Sequence, residues 1–215
     1  MSDAAELQSV QSTPSVHSTP GASAPRERVE SPAHVENIKF AMWLYLASDV
    51  ILFTVLIVVF VLFRVENEEV VKEVHETSGL FLVSLNTFLL LMSSWSMVMG
   101  LREIKRGNRR GLINWITATA LLGVVFVALQ GVEYNILSAE GITIYSSEFG
   151  MRFYAPTAFH GAHVIGGVIW ALAVVWHARK GGYGPKSYSG VEAFGLYWHF
   201  VDVVWIVLFT LIYLI

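Results

Sequence analysis

The segment Trp198-His-Phe-Val-Asp-Val-Val-Trp205 lies inside an apolar run that extends from Phe194 to Ile215. A run of about 20 apolar residues is long enough to cross a bilayer as a helix. With 100° between residues, the two tryptophans, the histidine and the aspartate of this segment fall within roughly 120° of arc. Ionisable groups at such depth cost about 2.5–3.5 kcal/mol and normally face other helices. We therefore predict a helix that docks against its neighbours through Trp198, His199, Asp202 and Trp205.

The composition is typical of a membrane protein. Hydrophobic residues make up 54% of the 215 residues and charged residues only 14%, whereas soluble domains carry about 25% charged residues. The chain contains no cysteine, which excludes disulfides, thiolate metal sites and iron–sulfur clusters. The net charge of −3 is the sum over segments rich in acidic residues and segments rich in basic residues. The charges on the two sides of the membrane must therefore be considered separately.

Residues 1–37 are rich in Ser, Thr, Pro and Ala and contain almost no large apolar side chain. Such a segment buries too little surface to offset the entropy of ordering, so we predict a disordered tail. Its histidines, His17 and His34, are expected to be solvated. The tail also lacks the basic start and the apolar stretch of a signal peptide.

Five apolar spans follow the tail, and each has a length that fits a tilted transmembrane helix. Asp49 in the first span costs about 3 kcal/mol, but the surrounding Leu, Ile, Val and Phe residues contribute roughly −6 kcal/mol. We therefore predict an all-α polytopic membrane domain, residues 38–215, that forms a bundle of five transmembrane helices. The predicted spans are 40–63, 80–100, 113–137, 154–178 and 194–215.

The distribution of basic residues predicts the orientation of the chain. Most Lys and Arg residues lie in the tail and in the loops after the second and fourth spans, whereas the other two loops carry mainly glutamate. By the positive-inside rule the N-terminus is cytoplasmic and the C-terminus outside, and an odd number of spans requires the same. The basic residues are Arg26, Arg28, Lys39, Arg102, Lys105, Arg106, Arg109, Arg110, Arg179, Lys180 and Lys186.

Six ionisable side chains lie within the spans, and their depth can be estimated at 1.5 Å per residue. Asp49, His199 and Asp202 are placed toward the cytoplasmic side. The other three, Glu133, His160 and His163, are placed toward the outside. We expect side-chain pairing within each of these two levels.

These side chains allow more than one role. The spacing of His160 and His163 places two imidazoles on one helix face, where Glu133 would complete a metal site. Haem ligation and proton relay through Asp49, Glu133 or Asp202 are further alternatives. Hydrogen bonding between helices is favoured over all of these, and the same role is expected for polar residues of the second span. Those residues are Asn86, Thr87, Ser93, Ser94 and Ser96, whereas the seven tryptophans are expected to anchor the chain at the membrane surfaces.

Four of these segments resemble the signature motifs of subunit III of haem–copper respiratory oxidases, in the same order along the chain. The resemblance covers about residues 38–215 and leaves the tail outside. The four motifs are Trp43-Leu-Tyr-Leu-Ala-Ser-Asp-Val-Ile-Leu-Phe53, Leu129-Gln-Gly-Val-Glu-Tyr134, Phe159-His-Gly-Ala-His-Val-Ile-Gly166 and Trp198-His-Phe-Val-Asp-Val-Val-Trp205.

The resemblance implies a subunit that binds no haem, copper or other metal and has no catalytic residue. It would lie beside the catalytic subunit I and subunit II of a proton-pumping oxidase, where haem and copper are expected. The family also binds phospholipid in a cleft between helix groups, protects the catalytic subunit from turnover inactivation and supports proton uptake. No nucleic-acid partner is expected. By position, the family's buried polar residues correspond to Asp49, Glu133, His160, His163, His199 and Asp202.

Two departures from the family pattern keep alternatives open. The chain resembles the five-helix form, which lacks the first two helices of larger members and leaves the lipid cleft incomplete. Asp49 stands where many cytochrome c-using members have glutamate, which resembles quinol-oxidising relatives. The alternatives are subunit III of a quinol oxidase, an accessory protein of a nitric oxide reductase, and an independent proton-coupled transporter. The expected location is the plasma membrane of a bacterium or archaeon.

Overall fold

The computed structural model describes residues 30–66, 80–139, 141 and 148–214. Every long element in these residues is a helix, and five helices are long and apolar enough to cross a membrane. The predicted all-α bundle of five transmembrane helices is therefore confirmed. The helices are α1 (Pro32–Glu66), α2 (Leu80–Lys105), α3 (Arg109–Ala139), α4 (Glu148–Arg179) and α5 (Ser189–Phe209), and α5 continues as a π-helical segment, Thr210–Leu214.

The helices extend beyond the predicted apolar spans, most of all at the start of α1. This helix begins at Pro32, so residues 32–37 are helical and do not belong to a disordered tail. Proline is favoured in the first turn of a helix, and the hydroxyl of Ser31 accepts a hydrogen bond from the backbone N–H of His34 at 3.3 Å. The rest of the predicted tail, residues 1–29, lies outside the described residues.

Helix α5 occupies the middle of the bundle, where it packs against α1, α2 and α4. Helices α2 and α3 form a tightly packed hairpin, α3 also packs against α4, and α1 lies on α4 and α5. The side chains through which α5 was predicted to dock form a stripe along the helix, and this docking stripe has neighbours on several sides. The docking stripe consists of Trp198, His199, Asp202 and Trp205. The large side chains of Trp198 and Trp205 are among the most fully buried of the described residues.

Two glycines let α3 and α4 approach the ring of Trp198 closely. A Cβ atom added at Gly167 of α4 would lie 2.5 Å from Cζ3 of Trp198, and one added at Gly123 of α3 would lie 2.8 Å from Cη2. Both distances are far below van der Waals contact. The indole ring of α5 is thus held between two helix backbones at positions where only glycine fits.

Polar contacts at the two ends of the bundle show that α1 and α5 run in the same direction and that α2 runs in the opposite one. At one end, Glu192 of α5 forms ion pairs with Lys39 of α1 at 2.9 Å and with Lys105 of α2 at 3.3 Å. At the other end, Arg64 of α1 donates a hydrogen bond to the backbone carbonyl of Leu211 at 2.6 Å. The start of α1 therefore shares one end of the bundle with the end of α2 and the start of α5.

Candidate functional site

The docking stripe of α5 faces polar side chains of α2. The indole Nε1 of Trp198 donates to Ser93 Oγ at 2.9 Å, and the indole Nε1 of Trp205 donates to Thr87 Oγ1 at 2.9 Å. These contacts confirm the prediction that the stripe docks against a neighbouring helix. The expectation that all tryptophans anchor the chain at membrane surfaces is wrong for these two, because both are buried in the bundle.

The other three polar residues of α2 that were predicted to bond between helices, Asn86, Ser94 and Ser96, also do so. Ser94 Oγ lies 2.6 Å from Nδ1 of His199, and Ser96 Oγ lies 2.6 Å from Thr119 Oγ1 of α3. The side-chain amide of Asn86 donates to the backbone carbonyl of Phe126 at 3.2 Å. The polar face of α2 thus holds α3 and α5 through directional bonds.

Asp49 of α1 lies opposite His163 of α4, with 3.5 Å between Oδ2 and Nε2. The other ring nitrogen of His163, Nδ1, lies 2.8 Å from the backbone carbonyl of Phe159. A carbonyl only accepts hydrogen bonds, so Nδ1 carries a proton. The carboxyl group of Asp49 faces the second ring nitrogen, Nε2. The ring of Phe53 covers His163 edge-on at 5.2 Å between ring centroids.

The predicted pairing of Asp49 with His199 and Asp202 is therefore wrong. Asp49 lies midway along Pro32–Glu66, and His163 lies midway along Glu148–Arg179. The predicted spans begin at residues 40 and 154, whereas the helices begin at Pro32 and Glu148. Depths counted from the predicted starts are therefore too small in both helices. Since the two helices start at opposite ends of the bundle, the two residues were placed at different levels. With the true helix starts, both residues lie near the middle of their helices.

His199 and Asp202 form their own group with Ser94. Nδ1 of His199 lies 3.9 Å from Oδ2 of Asp202, in addition to its contact with the Ser94 hydroxyl. Asp202 is only 3% exposed, and within the described part of the chain its carboxyl oxygens have no hydrogen-bond partner. His199 is half-exposed and covers this buried carboxyl group.

His160 is enclosed by aromatic rings instead of pairing with Glu133. Its ring stacks on Trp205 at 4.9 Å between centroids and meets Phe126 edge-on at 5.7 Å. Among the described residues neither ring nitrogen has a hydrogen-bond partner. The predicted pairing of Glu133 with His160 and His163 is wrong, because the first histidine turns toward α5 and the second toward α1.

Glu133 instead accepts a hydrogen bond of 2.7 Å from the hydroxyl of Tyr213, in the π-helical segment that follows α5. Tyr213 was not among the predicted residues, although it lies near the outer end of the last span at the level of Glu133. Close by, the Tyr134 hydroxyl donates to Thr157 Oγ1 at 2.9 Å, and the Gln130 amide donates to the Thr157 carbonyl at 3.1 Å. This second network joins α3 to α4.

The arrangement of these groups bears on the alternative of a metal site. In the residues that the structure describes, no three His, Asp or Glu side chains lie close enough together to hold a metal ion. His160 and His163 point to different neighbours. The polar interior is thus built from pairs and small networks between helices.

A groove between α1 and α5 opens to the outside of the bundle. Its upper half, of about 280 Å³, also touches α2 and begins at the ion-paired Lys39 and Glu192. Its lower half, of about 560 Å³, runs deeper between α1 and α5. His199 lies at the junction and lines both halves. The lower half is lined by Trp43, Leu46, Ala47, Val50, Leu196, His199, Phe200 and Val203.

Comparison with known proteins assigns the family. Residues 28–215 match the family model described as "Cytochrome c oxidase subunit III". Cytochrome c oxidase subunit 3 of Thermostichus vulcanus is 37% identical over 80% of this chain and 84% of the relative. The Synechocystis protein of the same name is 38% identical over 85% of this chain and 77% of the relative. Quinol oxidase subunit 3 of Bacillus subtilis is 34% identical over 80% of this chain and 84% of the relative.

The match includes all four of the intramembrane motifs and all five helices. Together with the five apolar helices, it makes the chain a multi-pass membrane protein and a subunit of an oxidase complex. The chain belongs to the cytochrome c oxidase subunit III family.

Proposed function

We propose that the chain is the non-catalytic subunit III of a proton-pumping haem–copper terminal oxidase, which reduces oxygen to water. The observation that carries this proposal is the family match over residues 28–215. The contacts of the motif residues support a structural role, because Trp198, Trp205 and Asp49 each contact a side chain of another helix. Catalysis would then take place in the partner subunits I and II, which would hold haem and copper.

Co-purification tests this proposal. We expect the affinity-tagged chain to bring down a haem-containing partner from its native membrane, with a reduced-minus-oxidised haem spectrum and oxygen consumption by the eluate. A tagged membrane protein of similar size and unrelated family serves as the control. A chain that elutes alone and colourless would contradict the proposal and favour an independent transporter. A haem-containing eluate that reduces nitric oxide but not oxygen would favour the nitric oxide reductase accessory protein.

We place the choice of electron donor in the partner subunits. Relatives named for cytochrome c oxidase and for quinol oxidase match this chain at similar identity, 37% and 34%. The side chain at position 49 contacts His163 inside this chain, which gives it no direct route to a donor. The electron donor is best predicted from the sequence of subunit II. A dinuclear copper motif in that sequence would indicate that cytochrome c is the donor.

The outer face of α1 supports the proposal of phospholipid binding. Large apolar side chains on this face are exposed and lie on the side opposite the bundle core. The face would form one wall of the lipid cleft, and another subunit would supply the other wall. These side chains are Phe40, Leu44, Ile51, Val55, Val58 and Leu62.

The charged end of the bundle supports a cytoplasmic N-terminus in the plasma membrane of a prokaryotic cell. Lys39 and Lys105 meet at Glu192, at the same end as the basic loop that joins α2 to α3. Basic residues are retained on the cytoplasmic side of a membrane. The end that contains Glu133 and Arg64 would then face outside.

A substitution at Asp49 tests the proposed protective role. We expect Asp49→Ala to leave the initial rate of oxygen reduction near normal and to shorten the active lifetime of the complex severalfold. The physical reason is that the substitution removes the partner of His163 and loosens α1 from α4. The measurement is oxygen consumption followed over many turnovers.

Asp49→Asn is the matched control, because its amide can still bond to His163 at the same position. We expect a lifetime closer to that of the unchanged protein. A normal lifetime for Asp49→Ala, or a loss of haem absorbance in that variant, would argue against the proposed role.

A further inference from the structure

The lower half of the groove between α1 and α5 contains one imidazole, that of His199, among apolar and aromatic side chains. Glu192 marks the charged layer, and His199 lies seven residues later on the same helix, roughly 10 Å along its axis. The polar layer of each leaflet is only roughly 5–8 Å thick. The His199 imidazole therefore lies farther from the Glu192 ion pairs than one polar layer is thick.

The Ser94 hydroxyl leaves the outer nitrogen of His199 available for a ligand. The contact of 2.6 Å engages Nδ1, so Nε2 is the nitrogen that remains for the groove. A serine hydroxyl both donates and accepts hydrogen bonds. When Ser94 donates to Nδ1, Nε2 carries the proton and can donate to a carbonyl oxygen. When Ser94 accepts from Nδ1, Nε2 has a free lone pair and can accept from a hydroxyl group.

Asp202 lies beside Nδ1 of His199, the ring nitrogen that Ser94 engages. Its carboxyl group is 3% exposed and lies 3.9 Å from Nδ1 of His199. The imidazole is thus held in place and can present either a donor or an acceptor to the groove.

The walls of the lower half fit a flat, neutral ring with an apolar tail. Apart from His199, its lining side chains are apolar or aromatic, and none carries a charge. Trp43 offers an exposed indole at one rim and Phe200 offers a ring beside His199. Aromatic rings of this kind pack against planar ligands in offset or edge-on geometry. The volume of about 560 Å³ is in the range of sites for small ligands.

We propose that the lower half of this groove binds the ring of an isoprenoid quinone, with one ring oxygen hydrogen-bonded to Nε2 of His199. The oxidised ring presents a carbonyl acceptor and the reduced ring a hydroxyl donor, and His199 with Ser94 accommodates both. A phospholipid acyl chain would leave the imidazole without a partner. The groove residues Trp43, Leu46 and Val50 lie on the flank of α1 beside its phospholipid face, and Ala47 borders both surfaces.

Photolabelling of the intact membrane complex tests this site. The probe is a decyl-tailed quinone with an azide on its ring, and the readout is mass spectrometry of this chain after separation from its partners. We expect label in α1 between Trp43 and Val50 and in α5 between Leu196 and Val203. Unlabelled decylquinone should compete for this label, whereas vesicles of dioleoyl phosphatidylglycerol should not.

Two variants and a matched control complete the test. Ala47→Phe fills the lower half and should reduce the label at least tenfold. His199→Phe keeps the ring but removes its hydrogen bond and should reduce the label about tenfold. Ala173→Phe makes the same addition on an exposed position of α4 away from the groove and should leave the label unchanged.

The outcomes separate the occupants. Label that persists in both groove variants would overturn the proposal, and so would displacement of the probe by phosphatidylglycerol, which would identify the groove as an acyl-chain site. Loss of label in Ala173→Phe to the same extent would show that the effect is not specific to the groove and would overturn it as well. Haem content, measured in parallel, reports on complex assembly and therefore on the proposed function separately.

Discussion

Trp205→Ala should lower the free energy of unfolding by about 3–5 kcal/mol, the largest effect expected of any single substitution in the bundle core. Trp205 is 1% exposed and contacts three other helices. Its ring stacks on His160 of α4, meets Phe126 of α3 edge-on at 4.8 Å, and donates to Thr87 of α2. Truncation would open a large cavity and also leave a buried hydroxyl without its donor.

Equilibrium unfolding in mixed lipid–detergent micelles, followed by circular dichroism, measures this effect. Trp205→Phe keeps most of the ring packing but removes the bond to Thr87, so we expect a smaller loss of about 1–2 kcal/mol. Trp176→Ala removes an indole that is 59% exposed, and its effect should stay within about 0.5 kcal/mol. Equal losses for the buried and the exposed tryptophan would show that Trp205 does not join the helices.

Gly167→Ala should destabilise the bundle by about 1–3 kcal/mol through overpacking. The added methyl group would lie 2.5 Å from Cζ3 and 2.7 Å from Cε3 of Trp198. Trp198 has 0% exposure, and its Nε1 is held by Ser93. The ring therefore has no free space to move into, and α4 must move away from α5 instead.

Gly131→Ala is the matched control for this prediction. It is also a helical glycine, but a Cβ atom there would meet nothing within 4 Å. Since alanine favours a helix more than glycine does, the control should be neutral or slightly stabilising. The same unfolding measurement applies to both variants. A Gly167→Ala protein as stable as the control would disprove the close packing of α4 on Trp198.

The five helices could be predicted from sequence because hydropathy depends on local composition. The docking face of α5 was also predictable, because the helical period places Trp198 and Trp205 on one side of the helix whichever helices lie beside it. The same holds for the five polar residues of α2 that were predicted to bond to neighbouring helices. These residues are Asn86, Thr87, Ser93, Ser94 and Ser96. In each case the period of the helix fixes which residues share a face, and no knowledge of the neighbour is needed.

The partners of the buried ionisable residues could not be predicted from depth. His160 and His163 differ by less than one turn in height, yet they point toward α5 and toward α1, respectively. Depth gives the height of a residue but not the direction in which it points around the helix axis. The direction depends on the order of helices in the bundle, which sequence periodicity does not provide.

Residues outside the motifs were missed for a related reason. Tyr213 and Thr157 have no unusual cost in an apolar helix, so nothing in the sequence distinguishes them from other lipid-facing or core residues. Only the arrangement of three helices makes them the partners of Glu133 and Tyr134. The groove beside His199 is likewise a property of two packed helices and not of either one.

The contact between Asp49 and His163 joins α1 to α4, so it can form only after both helices have been synthesised. The ribosome completes α1 well before it reaches α4, so the carboxyl group of Asp49 is synthesised long before the imidazole that it will meet. The apolar residues of α1 must therefore supply the favourable free energy for its insertion into the membrane. Until α4 is inserted, Asp49 of α1 lacks its contact with His163. The insertion of α4 brings this imidazole beside the carboxyl group.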